Sequence, residues 1–87
     1  MDLVNGSIVK SKAGRDKGRF FAVMSLEGRF VFLADGDLRK ISKPKRKKLM
    51  HVSLTKKVFS SHQMSSDKML YNSIKEKFYS DERHKEG

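Results

Sequence analysis

Lys10, Lys12, Arg15, Lys17 and Arg19 follow one another at intervals of two or three residues, with Gly14, Asp16 and Gly18 between them. Cations at that density suit phosphate: lysine acts as a compact charge, and arginine donates two parallel hydrogen bonds or stacks on a base. Glycine accepts a positive φ and, lacking Cβ, lets a sugar-phosphate backbone approach main-chain amides. Asp16 is expected to orient Arg15 or its own loop rather than to touch phosphate. A second block comprises Arg39 and Lys40, then Lys43, Lys45, Arg46, Lys47 and Lys48 around Pro44. Both blocks have a plainer reading as solvated surface, the second as lysines that keep a sheet edge from aggregating.

The charge is concentrated. The 87-residue chain carries a net +10, and residues 10–48 hold thirteen cations against four carboxylates, a local +9. Like charge gathered in a small domain repels itself, which points to a polyanionic partner, most commonly nucleic acid. Phe20, Phe30 and Phe32 are possible stacking platforms for unpaired bases, although aromatics in β-rich runs usually serve as core.

Other chemistries find little support. The absence of cysteine removes disulfides, thiolate zinc sites and cysteine nucleophiles. His51, His62 and His84 are too scattered to predict a metal site. No Ser–His–Asp spacing, carboxylate pair or phosphate-cradling loop is present, so the chain reads as non-enzymatic and without a cofactor. No run approaches the roughly 20 apolar residues of a membrane span, and the start MDLVNGSIVK lacks the pattern of a signal peptide. A cytoplasmic protein, monomeric when free and with no membrane partner, is the expectation.

The elements that must position these cations are short β-runs. Strands are predicted over residues 7–12, 19–26 and 29–34, the last two joined at Glu27-Gly28. Val9 and Ser11 share one face of the first strand; Ile8, Lys10 and Lys12 share the other, which should face water. The second and third strands are apolar on both faces, which fits a sheet with an interior on one side and the helical tail or a partner on the other. Asp35-Gly36 predicts a type I′ hairpin leading into a fourth strand over residues 37–42, ended by Pro44. Alternation of Met50, Val52 and Leu54 predicts a fifth strand that closes a barrel. The predicted core is Val9, Phe21, Val23, Val31, Leu33, Leu38 and Ile41. A polar linker over residues 58–66 should precede a helix capped by Ser66 and running over residues 67–79 or 80, with Leu70, Ile74 and Phe78 on one stripe. That stripe is expected to pack on the sheet. Residues 81–87 form a charged tail.

Three stretches carry a family resemblance: GSIVKSKAGRDKGRFFAV, with the motif glycine at Gly14; LADGDLRKI; and KPKRKKLMHVSLT. Together they resemble the KOW domain of ribosomal proteins and transcription elongation factors. Within that family the chain resembles the large-subunit ribosomal KOW proteins of eukaryotes and archaea and short bacterial RNA-binding relatives. The resemblance covers residues 3–55. It implies a mainly β fold, a small SH3-like barrel of about five strands over residues 1–57, with the C-terminal helix appended. It also implies that Lys12, Arg15, Asp16, Lys17, Arg19 and the basic run contact RNA, and His51 stands where the family has a histidine. Lys48 departs from the family's usual asparagine, and Val52 from its usual leucine.

The resulting expectation is a protein that binds RNA, ribosomal RNA of the large subunit in particular, chiefly through phosphates. Two alternatives share the fold and charge: a barrel that binds ribosomal or transcription proteins, and a small DNA-binding protein.

Overall fold

The computed structural model describes residues 3–79. Five antiparallel strands form one sheet: β1 (Ser7–Ser11), β2 (Phe20–Glu27), β3 (Phe30–Ala34), β4 (Lys45–Lys48) and β5 (Val52–Val58), in the order β4-β3-β2-β1-β5. A 3₁₀ turn (Leu49–His51) joins β4 to β5. Helix α1 (Asp67–Ile74) follows and continues as a π-helical turn (Lys75–Tyr79). The protein is therefore mainly β with a C-terminal helix. The hydrogen-bonded ladder is not closed, because β5 pairs with β1 and leaves β4 as the opposite edge.

Aromatic and β-branched residues on both faces give β2 and β3 their strand preference and bury the sheet on two sides. On one side Val9, Phe21, Val23, Val31, Leu33 and Val52 form a cluster. On the other, Ile8, Ala22, Ala34 and Phe59 meet Leu70 and Ile74 of α1. Ile8 thus lies under the helix rather than facing water with Lys10 and Lys12. The stripe packs on the sheet as expected, and burial of Leu70 and Ile74 contributes roughly 1.5–3 kcal/mol each before the entropy of ordering the helix.

Ser66 caps α1, its hydroxyl accepting the Met69 N–H at 3.1 Å. The carboxylate of Asp67 turns outward from the helix and accepts the Ile41 N–H at 2.7 Å. Phe78 stacks on Phe20 at 4.3 Å, and Tyr79 meets the same ring edge-on. The Phe20 N–H donates to the Tyr79 hydroxyl at 3.1 Å, so the last turn is fastened to the start of β2.

Several expectations need correction. Residues 37–42 are not a strand, because carboxylates take the N–H groups that a ladder would use. Asp35 accepts from the backbone of Asp37 and Arg39, each at 2.9 Å, and Asp67 takes that of Ile41. Among described residues positive φ is confined to glycines, so Gly36 adopts it and Asp35 does not, which excludes a type I′ turn. Leu38 consequently projects outward at 62% exposure, and Ile41 is only half-buried. The fourth strand is the basic run itself, where alternation sends Lys45 and Lys47 to one face and Arg46 and Lys48 to the other. Met50 belongs to the 3₁₀ turn and not to β5. The β2–β3 hairpin turns at Gly28-Arg29, one residue later than expected, with Glu27 still paired to Phe30. Phe59 is core, so the linker begins only at Ser60, and residues 60–65 are themselves a hydrogen-bonded turn. The tail, residues 81–87, lies outside the described residues, as do His84 and Ser80.

Candidate nucleic-acid interface

Loop 12–19 between β1 and β2 is built around a buried carboxylate. Gly14 and Gly18 take φ of +87° and +90°, bending the chain so that Lys17 N–H returns to Gly14 and Arg19 N–H to Asp16. Asp16 then points inward, where it accepts from the Ser11 hydroxyl at 2.6 Å, Lys45 Nζ at 2.8 Å and Lys47 Nζ at 2.9 Å. Lys47 also donates to the Ala13 carbonyl at 3.0 Å, and its side chain is only 8% exposed. Burial works to raise the Asp16 pKa. The hydrogen bonds from Lys45, Ser11 and Lys47 outweigh it and hold the carboxyl well below the usual carboxylate range. Asp16 therefore orients its loop, by clamping it to β4, and its carboxylate is bound by Ser11, Lys45 and Lys47 rather than by Arg15.

Arg19 is a second strut. It reaches Asp35 at 3.2 Å and Asp37 at 3.4 Å, tying loop 12–19 to loop 35–44. Burial acts to lower its pKa, but the hydrogen bond to Asp35 and the nearby negative charge raise it. Asp35 is the hub of this side, since its other oxygen organises the turn at residues 35–39.

With the loops braced, an open cleft of about 360 Å³ lies between them, lined by Arg15, Asp16, Phe21, Leu38, Arg39 and Lys45. Arg15, Arg39 and Lys45 thus converge beside Phe21 and Leu38, and the one carboxylate, Asp16, is already paired with Lys45 itself and with Lys47. Lys12, Arg15, Lys17, Arg39, Lys40 and Lys43 are exposed. None of these six makes an ion pair among the described residues. Gly14 and Gly18 are exposed with them.

The other predicted contacts fall elsewhere. Lys10 sits 5.6 Å above the Phe20 ring, beside the helical turn. Arg46 lies 4.4 Å over Phe30, and Lys48 faces the same way, on the side of β4 opposite Lys45 and Lys47. His51 is half-buried, and its carbonyl accepts the Lys12 N–H at 2.8 Å. Phe20 is covered by Phe78 and Tyr79, so it offers no free platform to a base.

Sequence reasoning missed Leu38 and Phe21 as cleft lining and Ser11, Asp35 and Asp37 as its bracing. A signal existed in the lone aspartate among loop cations, because an acid there has lysines to hold. No helix among the described residues is long and apolar enough to cross a membrane. Compared with models of known protein families and with curated proteins, the chain matches none.

Proposed function

We propose that this protein is an RNA-binding module of the KOW type that grips the phosphates of structured RNA, ribosomal RNA first among them, and catalyses no reaction. The observation that carries this reading is the cleft: Arg15, Arg39 and Lys45 converge between loops that Asp16 and Arg19 hold in place. Loops braced in advance lose little freedom on binding, so more of the contact energy appears as affinity. An SH3-like barrel is the finer reading of the fold. It is supported by the five-strand order and by the Lys45 and Lys47 side chains, which link edge strand β4 to the β1–β2 loop where the backbone ladder stays open.

Phosphate contacts dominate this binding mode, with little base reading. Six exposed cations correspond to a loss of about 10³ in affinity between 50 and 200 mM salt. The experiment is a binding isotherm for a structured ribosomal RNA fragment, run in parallel with duplex DNA at fixed salt. Arg15→Ala with Lys17→Ala should weaken RNA binding at least tenfold while leaving the folded spectrum intact, since both side chains are exposed. Equal or tighter binding of duplex DNA, or indifference to the double substitution, contradicts the proposal.

A further inference from the structure

A second surface lies toward the other end of β4; its groove shares no side chain with the cleft, and the two meet only at Lys45, the first residue of the strand. β4 is a sheet edge, so roughly half of its backbone N–H and C=O groups point away from β3. Among the described residues, none of the backbone hydrogen bonds outside the ladder involves residues 45–47, while the Lys48 backbone enters the 3₁₀ turn as its N-cap. Next to this edge the 3₁₀ turn exposes two consecutive apolar side chains, Leu49 at 39% and Met50 at 71%. They form, with Arg29, Phe30 and Lys48, an open groove of about 440 Å³. The Leu49 N–H donates to the Arg29 carbonyl at 2.7 Å, which fixes the turn against the β2–β3 hairpin. Arg46 and Lys48 stand on the face of β4 beside the groove, and the nearest acid in the ladder, Glu27, pairs with Phe30 and does not line it.

We infer that this edge and groove form a docking site for an extended acidic peptide of a partner protein, which adds a strand to β4 and seats one apolar side chain on Leu49 and Met50. Alternate carboxylates of such a strand share one face and meet Arg46 and Lys48. A second copy of the chain is disfavoured, because its own edge brings lysine to lysine. Phosphodiester is a poorer match for two reasons. It has acceptors only, whereas a strand edge presents donors and acceptors in turn. Leu49 and Met50 also give no π-face for a base, and the Phe30 ring already carries Arg46.

The test uses a capped synthetic hexapeptide alternating glutamate and threonine and ending in leucine. Two further versions are N-methylated at the odd or at the even amides. Binding to the full-length protein is followed through backbone amide shifts. Shifts are expected at residues 45–50 and 29–30. One methylated version should lose at least about tenfold in affinity and the other stay within about twofold, because only one set of amides faces β4. Arg46→Glu should weaken the parent peptide about tenfold, and Arg15→Ala with Lys17→Ala should leave it unchanged. The inference is overturned if both methylated peptides bind like the parent, which would mean charge attraction alone. Shifts confined to residues 12–18, or displacement of the peptide from residues 45–50 by oligouridine, overturn it as well, the last outcome assigning this surface to RNA.

Discussion

Asp16→Asn replaces one carboxylate oxygen by an amide group in the cluster that holds loop 12–19 against β4, and its effect is large for so small a change in shape. The carboxylate takes three hydrogen bonds, from Ser11, Lys45 and Lys47, and is 9% exposed. An asparagine keeps a single acceptor oxygen and turns an NH₂ group toward a lysine ammonium. Removing one member of a buried ion pair costs ~3–5 kcal/mol, because the other charge stays buried. Lys45 is 27% exposed and can turn to water, while Lys47 at 8% cannot, which places the cost near ~3 kcal/mol. For a domain of this size that lowers Tm by about 12–24 °C in thermal unfolding followed by circular dichroism. Asp16→Asn combined with Lys47→Met should recover part of the loss, since the stranded charge is gone. Acid provides an independent check. A carboxyl depressed in the folded state stabilises fully above its unfolded pKa of ~3.9, and that stability is lost as pH falls from there toward the folded value. The gap between wild type and Asp16→Asn should therefore be constant at neutral pH and shrink only below about pH 4. A Tm within about 3 °C of wild type, or a gap that closes between pH 5 and 7, refutes the clamp.

Other consequences follow from the same contacts. Gly36 combines φ of +80° with a position where a Cβ would collide with the Asp67 carbonyl oxygen, so Gly36→Ala should cost more than ~2 kcal/mol in urea unfolding. Leu70→Ala removes a fully buried side chain from the helix–sheet contact and should cost ~2–5 kcal/mol, whereas Met50→Ser, at an exposed position, should stay within about 0.5 kcal/mol. Arg15→Ala with Lys17→Ala should reduce the slope of log affinity against log salt by about 2 for structured RNA, and an unchanged slope would place the phosphates elsewhere.

Most of the sheet was legible because its signals are local. β1, β2 and β3 follow from β-branched and aromatic runs broken at glycine, and five of the seven predicted core residues are buried in one cluster. The helix followed from the spacing of Leu70 and Ile74 and from Ser66 as its cap. The fourth strand was misplaced because most of what decides its position is not local. Asp67, far along the chain, takes the N–H of Ile41, and Asp35 consumes two more donors, while Lys45 and Lys47 become strand residues only because Asp16 receives their charges. A run of lysines and one arginine has poor β preference by itself, and its pairing partner in charge lies about thirty positions upstream. For the same reason the basic block read as one surface, although alternation along β4 divides it between a buried clamp and an exposed edge.

The most direct measurement is a titration of the isotopically labelled protein with a structured ribosomal RNA fragment at 50 mM salt, followed amide by amide. The largest shifts should fall in residues 12–18 and 38–43, around the Arg15–Arg39–Lys45 cleft, and fade together as salt is raised. Saturable binding that leaves those two loops unmoved, or no interaction with any structured RNA at that ionic strength, would contradict the central claim.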